Sequence, residues 1–289
     1  MSASDAVTGP PRSSLRRERS FDVVAVVVLA AATLVMLLPV YLMTLTSLSP
    51  AERAFAYPPN LLPTSLTLAN YPEALFRLLP FPLYLRNTAI IAALVIVGDL
   101  LSCSLVAYGF ARFRFPGRDA LFVVLLSTLM VPLIVRLVPL FVLFQKLGWI
   151  NTFLPVVVPA FFGTPLYIFL MRQSFLTIPS ELIDAARLDG ASEIGIWWRI
   201  MLPLSKPVLA AVAIFTLQNT WNDFLGPLVF LQKNEVRTVM LGLYGLMGMF
   251  ADWHLVMAAV VTTVAPMVAL FLLFQKFFVK GLAVTGLKG

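Results

Sequence analysis

The sequence predicts an all-α integral membrane protein with about six transmembrane helices. Of its 289 residues, 60% are hydrophobic and only 12% are charged. Soluble domains usually carry about 25% charged residues, and half of that fraction does not cover a globular surface. Several apolar runs have about the 20 residues that a helix needs to cross the hydrocarbon core. The bilayer is therefore the predicted solvent for much of the chain.

The predicted spans follow the apolar runs in chain order. They cover about residues 23–45, 88–110, 120–144, 153–171, 208–231 and 255–274. The first run follows a basic tail but exceeds the length of a signal-peptide core, so we expect an uncleaved span. The third is the least regular, because Pro132 and Pro139 each remove a backbone donor and Arg136 places a charge among apolar residues.

Basic residues predict the orientation of these spans. The net charge is +7, and cytoplasmic loops of membrane proteins collect Lys and Arg, so no nucleic-acid partner is expected. The side with both termini holds 14 of the 21 Lys and Arg residues and is therefore the predicted cytoplasmic side. The expected segments are a cytoplasmic tail (1–21), the first helix (22–46), a periplasmic loop (47–86), the membrane core (87–276) and a second cytoplasmic tail (277–289).

Several kinds of site are not expected in this chain. One cysteine, Cys103, and one histidine, His254, give no disulfide framework and predict no Cys/His metal site. His254 follows Trp253 at a predicted outer membrane edge, which is typical of an interfacial residue. The sequence has no phosphate loop of the GxxxxGKS/T type, so another chain must bind ATP if transport requires it.

The cytoplasmic loop at residues 181–203 predicts a helix, a glycine turn and a second helix. Ser180 can cap the first helix, whose first turn holds Glu181 and Asp184, where the helix dipole favours negative charge. Gly190 suits the left-handed residue that ends it. Ser192 can begin the second helix.

This loop also predicts a face for close protein contact and a point where its second helix stops. Leu182, Ala185 and Ala186 have the spacing of one small apolar stripe on the first helix. Small side chains let the surface of another protein approach closely. Pro203 is expected to stop the second helix, because proline has no backbone N–H.

The loop resembles the EAA loop of ABC importer permeases. The family pattern is EAA, three residues, Gly, nine residues, Ile, one residue and Leu-Pro. The residues at those positions are Asp184, Ala185, Ala186, Gly190, Ile200, Leu202 and Pro203. The departure is an aspartate at position 184 where the family usually has glutamate, which keeps the charge and shortens the side chain.

Three further segments resemble the permeases of the carbohydrate-uptake branch. They are RFRFPGR at 112–118, WNDF at 221–224 and the terminal GLKG at 286–289. The second is similar to that group's WN(E/D)F signature, and the third to its closing GAVKG. The resemblance covers about residues 22–289 and places the chain beside the maltose permease subunit with six spans.

The resemblance implies a type I ABC importer permease fold and a non-catalytic role. Such permeases work in pairs, usually with a related subunit. A cytoplasmic ATPase dimer binds ATP and Mg, and an extracytoplasmic binding protein delivers the sugar. The residues that would form the coupling helix for the ATPase are Glu181, Asp184, Ala185, Ala186 and Gly190.

Polar residues in the fifth predicted span suggest a translocation face. The group consists of Gln218, Asn219, Trp221, Asn222 and Asp223. Amides and carboxylates suit sugar hydroxyls, and an aromatic ring can stack on a sugar. Alternatively, these groups hydrogen-bond to neighbouring helices or to the partner permease. For Asp99 in the second predicted span, a helix–helix contact is the favoured interpretation.

Other classes of protein fit the sequence less well. An intramembrane enzyme needs clustered acidic or metal-binding residues, whereas Asp184 and Asp189 already match the EAA loop. A proton-driven secondary transporter that uses Asp99 or Asp223 would have no use for that loop. An amino-acid or peptide ABC permease is the nearest alternative, and the WNDF and GLKG segments favour sugar over it.

Overall fold

A computed structural model describes residues 12–54, 61–63, 65–249 and 252–286, with side chains for 24–54, 61–63, 65–247 and 252–273. No strand occurs among these residues. The helices are α1 (Arg12–Ser47), α2 (Asn70–Pro72), α3 (Phe81–Arg112), α4 (Arg118–Ser127), α5 (Leu133–Lys146), α6 (Leu154–Val157), α7 (Pro165–Leu176), α8 (Ser180–Leu188), α9 (Glu193–Ile196), α10 (Leu202–Leu204), α11 (Lys206–Trp221), α12 (Leu225–Phe230), α13 (Val239–Met249) and α14 (Trp253–Gly286). Short 3₁₀ or π segments link several of them.

The predicted all-α membrane fold is confirmed in the described part of the chain. Four stretches are long and apolar enough to cross a bilayer, namely Val24–Ser47, Phe81–Arg112, Leu154–Leu176 and Trp253–Leu273. Two bent pairs of helices raise the number to six if each pair forms one span. The first pair bends by 96° and the second by 83°.

The third predicted span is not one straight helix. Its bend of 96° separates Arg118–Met130 from Leu133–Lys146. Val131 and Pro132 are extended at the break, with ψ of 113° and 143°. Proline disfavours helical backbone in the residue before it and cannot donate to the preceding turn. Pro132 therefore explains the break, whereas Pro139 is accommodated inside α5.

The fifth predicted span, 208–231, is also divided. Helix α11 ends at Trp221, and α12 begins only at Leu225. The second predicted span is longer than the apolar run suggested, because α3 begins at Phe81 within the segment expected to be an outer loop. His254, expected at a membrane edge, is a buried side chain.

The chain forms two compact units. One comprises residues 1–71 and 252–261, and the other 72–251 and 262–289. In the first unit, the large apolar side chains between Val24 and Tyr41 are exposed, as lipid contact requires. The buried Asn70 donates to the carbonyl oxygens of Ser47 and Ser49 at 2.8 Å, which fixes the segment around Asn70 to the end of α1.

The second unit is built around α3, which packs against α7 and α11. Its main apolar core also includes side chains from the segments that follow α7. The largest fully buried members are Ile168, Met171, Phe175, Ile183, Ile196, Met201 and Val212. Because Ile183 and Ile196 belong to the predicted cytoplasmic loop, that loop is joined to the membrane core by burial and not by chain connectivity alone.

Candidate functional site

The predicted coupling helix is α8, and its ends follow local backbone chemistry. Gly190 has a φ of +80°, the left-handed conformation that glycine adopts most easily, as the sequence predicts. The N–H of Ala191 donates to the carbonyl oxygen of Ala186 at 2.9 Å and completes this turn. Ser192 accepts from the N–H of Gly195 at 3.2 Å, which confirms it as the cap of α9.

Two predictions about the ends of these helices are wrong. Ser180 is the first helical residue and makes no capping bond, because Pro179 occupies the cap position with an extended ψ of 137°. Pro203 does not stop the second helix, which continues to Leu204. The π-helical segment Trp197–Met201 ends two residues before this proline and changes the local hydrogen-bond spacing, and the helix ends one residue after the proline.

The side chains of α8 divide between an anchored face and an exposed face. Ile183 is 2% exposed and Ala186 packs beside it against the core. Leu182 is 47% exposed and Leu188 is 89% exposed, and Ala185 is exposed with them. The predicted stripe is therefore wrong in one respect, since Ala186 belongs to the anchored face. The exposed apolar residues are spaced i, i+3 and i+6.

An ionic network joins α8, α9 and α3. The Nε of Arg187 lies 2.8 Å from Oε1 of Glu193, and its Nη1 lies 3.2 Å from Oδ1 of Asp184. The hydroxyl of Tyr108 donates to Oε2 of Glu193 at 2.5 Å. The Arg187 guanidinium holds the pKa of the Glu193 carboxyl below its usual range. Asp184 thus has a partner within its own helix, which its place in the EAA pattern did not indicate.

Glu181, in the first turn of α8, has a different environment from Glu193. Glu181 is exposed and lies on α8 near Leu182. Its carboxylate belongs to the helix N-terminus, where negative charge is favourable. Of the predicted coupling residues, Glu181 and Ala185 are therefore open to a partner, whereas Ala186 and Gly190 shape the helix.

Two arginines join the ends of α3 and α7 through hydrogen bonds to backbone carbonyl oxygens. Arg112, the last residue of α3, donates through Nη2 to the carbonyl oxygens of Phe175 and Ile178, both at 2.5 Å. Arg172 in α7 donates to the carbonyl oxygen of Phe110 at 3.3 Å. Its guanidinium also lies 4.3 Å from the ring centre of Phe122. Helix ends leave carbonyls without helical partners, and each arginine supplies donors to the other helix.

The WNDF segment forms a break between helices. The Nδ2 of Asn222 donates to the carbonyl oxygen of Gln218 at 2.8 Å, and Oδ1 of Asp223 accepts from the N–H of Gly226 at 3.2 Å. A Cβ at position 226 would lie 2.6 Å from Oδ2 of Asp223, so a larger residue there would displace this carboxylate. Asn222 and Asp223 follow the end of α11 and do not share its face, contrary to the sequence prediction.

The remaining predicted path residues have separate roles. Asn219 donates to the hydroxyl of Tyr167 at 2.9 Å, and the indole N–H of Trp221 donates to the carbonyl oxygen of Thr263 at 3.3 Å. Gln218 is exposed and lines a cavity of about 350 Å³ between α11 and α14. The other lining residues are apolar, namely Ile214, Leu217, Met267, Val268, Leu270 and Phe271.

A polar cluster inside the core was only partly predicted. Asp99 is 3% exposed and accepts from the hydroxyls of Thr164 at 2.8 Å and Thr216 at 3.0 Å. These contacts join α3 to the start of α7 and to α11, which confirms the helix–helix interpretation of Asp99. In the described part of the chain, no group of three or more His, Cys, Asp or Glu side chains could hold a metal ion.

Comparison with known proteins identifies the family of this chain. Residues 101–284 match the family described as binding-protein-dependent transport system inner membrane component. The chain belongs to this family. The permease is 40% identical over 228 residues to the arabinooligosaccharides transport system permease protein AraQ of Halalkalibacterium halodurans, which covers 78% of this chain and 81% of that protein.

Other relatives of this inner membrane permease support the assignment. It is 32% identical to the sn-glycerol-3-phosphate transport system permease protein UgpE of Yersinia enterocolitica, across 93% of this chain and 98% of the relative. A crystal structure of a bacterial ABC transporter involved in the import of alginate contains a chain of the same fold, with a TM-score of 0.79 and 24% identity. That match covers 91% of this permease and 98% of the other chain.

Proposed function

We propose that this permease is one of two membrane subunits of an ATP-driven importer for a sugar or oligosaccharide. The observation that carries the proposal is α8, whose Leu182, Ala185 and Leu188 are exposed while Ile183 anchors the opposite face. Amphipathic helices commonly place such exposed apolar side chains in the groove of a partner. The partner proposed for α8 is a cytoplasmic ATPase, which would bind ATP and Mg.

The predicted coupling residues then act in different ways. Glu181 and Ala185 meet the ATPase, together with the exposed leucines of α8. Ala186 holds the helix against the core, and Gly190 forms the turn that sets its direction. Asp184 contributes indirectly, since its carboxylate is 3.2 Å from the guanidinium of Arg187.

The proposed topology places both termini and α8 in the cytoplasm. The bias of Lys and Arg supports this orientation, because basic residues remain on the cytoplasmic side. A second, related permease completes the membrane part, and an extracytoplasmic binding protein delivers the substrate. The family to which the chain belongs is named for its dependence on such a protein.

Gln218 is the residue that we place on the translocation path. Its exposed amide lines the cavity beside α11 and can donate and accept hydrogen bonds. Asn219 and Asn222 lie near it at the end of α11 and are also exposed. Trp221 and Asp223 stabilise the helix end, because their polar atoms bond to Thr263 and Gly226.

The proposed substrate class rests on the relatives. AraQ proteins of two species, at 40% and 35% identity, are named for arabinooligosaccharides. A polyol phosphate is the second candidate, because relatives named for sn-glycerol-3-phosphate align over 93% of the chain. Both substrates present hydroxyl groups, which suits the amide of Gln218.

The decisive experiment is reconstitution. The permease is co-expressed with the genes beside its own, purified in one complex and placed in liposomes with the cognate binding protein. We expect ATP hydrolysis that rises when the binding protein carries an oligosaccharide. Stimulation by glycerol phosphate alone would favour the second substrate. A chain that purifies alone and moves solute without ATP would contradict the proposal and would favour proton-driven transport through Asp99 or Asp223.

A further inference from the structure

The carboxylate of Glu193 binds two different helices at once. Its Oε1 lies 2.8 Å from Nε of Arg187, and its Oε2 accepts from the hydroxyl of Tyr108 at 2.5 Å. Oε2 also lies 3.3 Å from Nη2 of Arg187, so the guanidinium binds the carboxylate through two nitrogen atoms. Such paired bonds fix the relative orientation of the two groups as well as their distance.

The bridge spans the glycine turn between α8 and α9. Gly190 lies between Arg187 and Glu193, and nothing is within 4 Å of the place where its Cβ would be. Glycine also has the widest backbone freedom. Ile183 is the only fully buried residue of α8. The bonds from Arg187 to Glu193 therefore act together with the packing of Ile183 to restrict rotation of α8 about the turn.

Tyr108 extends the bridge into the membrane core. It is 2% exposed and lies on α3, the helix that packs against both α7 and α11. Its ring is held 5.5 Å from that of Phe113 in an edge-to-face arrangement. A displacement of α8 that moves Arg187 thus acts on α3 through two consecutive bonded contacts, from Arg187 to Glu193 and from Glu193 to Tyr108.

We propose that Arg187, Glu193 and Tyr108 are positioning residues that make α8 and α3 move as one body. This inference rests on the proposed function of α8 as the docking helix for an ATPase. The network converts the movement of a short surface helix into movement of the central membrane helix. Without it, α8 pivots about Gly190, and ATP is hydrolysed with less transport.

The first test measures substrate transported per ATP hydrolysed in the reconstituted complex. Tyr108→Phe removes only the hydroxyl, and Glu193→Gln keeps the shape while removing the charge. Coupling between protein sites typically amounts to about 5- to 150-fold, and we expect transport per ATP to fall about tenfold in each variant. The double variant should fall no further, because both changes break the same connection.

Asp119→Asn is the matched control. Asp119 forms an exposed ion pair with Arg118, at 2.9 Å, and takes no part in the network. We expect wild-type transport per ATP from this variant. Wild-type ratios in Tyr108→Phe and Glu193→Gln would overturn the proposal, as would an equal loss in the control.

The second test measures rigidity and does not depend on an ATPase. Spin labels at Leu188→Cys and Arg86→Cys report the distance between α8 and the far end of α3 by pulsed electron paramagnetic resonance. Both positions are exposed, and the native Cys103 is buried. We expect a narrow distribution in the otherwise native full-length chain and a broad one when Glu193→Gln is added.

The two measurements separate the two proposals. A distance distribution that is narrow in the native chain and broadens in Glu193→Gln would support the rigid connection. If that chain never assembles with an ATPase, the proposed function is refuted while the rigid connection is retained. Unchanged widths in the variant would refute the connection, even where the complex imports sugar. A purely structural role for Glu193 would lower the yield of folded chain without changing the width.

Discussion

Arg112 and Arg172 each bind the backbone of the other's helix. Arg112 closes the end of α7 through the carbonyl oxygens of Phe175 and Ile178, and Arg172 reaches the carbonyl oxygen of Phe110 in α3. The arrangement gives a physical role to the first arginine of the RFRFPGR segment, which the sequence marked only by resemblance. It joins α3 and α7 at the ends from which the loop with α8 extends.

Replacing Arg112 should loosen this junction. Arg112→Met leaves two carbonyl oxygens without a charged donor, and we expect a loss of about 1.5–3 kcal/mol of stability, the usual contribution of a hydrogen bond to a charged group. Thermal unfolding in detergent measures the loss. Arg114→Met is the control, because Arg114 is exposed in the same loop. Equal unfolding temperatures in the two variants would contradict the role of Arg112.

Asp99 should be replaceable by a neutral acceptor. Asp99→Asn retains an oxygen for one of the hydroxyls of Thr164 and Thr216, so we expect uptake close to that of the wild type. Asp99→Leu removes both acceptors and should cost roughly 1–2 kcal/mol, as interhelical hydrogen bonds in membranes do. Uptake into liposomes and thermal unfolding measure the two effects. Complete loss of uptake in Asp99→Asn would instead indicate proton transfer.

The turn at Gly190 should depend on backbone conformation alone. Nothing lies within 4 Å of the place where its Cβ would be, so Gly190→Asn, which tolerates the left-handed conformation, should retain sugar-stimulated ATP hydrolysis. Gly190→Ala should destabilise the turn by about 1–2 kcal/mol and reduce the stimulation. Gly190→Pro should abolish it, because proline cannot adopt a positive φ. Wild-type stimulation in the proline variant would remove the coupling role from this segment.

Leu188 should matter for assembly and not for folding. Its side chain is 89% exposed, so Leu188→Glu should leave thermal unfolding unchanged while co-purification with the ATPase declines. Ile183→Ala serves for comparison, since a buried isoleucine replaced by alanine typically costs about 2–5 kcal/mol. If Leu188→Glu binds the ATPase as the wild type does, the docking surface lies elsewhere.

Features governed by local backbone chemistry could be predicted from the sequence. Gly190 and Ser192 have the predicted roles because a left-handed turn and a helix cap depend on a few neighbouring residues. The apolar runs likewise located the membrane helices. The prediction for Ser180 was wrong because Pro179 already occupied the cap position.

Contacts between distant segments could not be predicted in this way. Tyr108 and Glu193 are 85 positions apart, and Asp99 and Thr216 are 117 apart, so no periodicity relates them. The division of α8 into two faces also depends on the core around Ile183. The position of Ala186 on the anchored face follows from that packing, which spacing alone did not reveal.

The break after Trp221 has a consequence for the polar backbone that follows it. Helix α11 has 16 residues and is therefore about 24 Å long, shorter than a hydrocarbon core of about 30 Å. The non-helical backbone at Asn222 and Asp223 then lies at a depth where lipid cannot satisfy its polar groups. Such backbone occurs only where protein or a water-filled space surrounds it. The N–H groups of Asn222 and Asp223 donate to the carbonyl oxygens of Gln218 and Thr220, so the protein itself satisfies these donors, at a depth set by the length of one short helix.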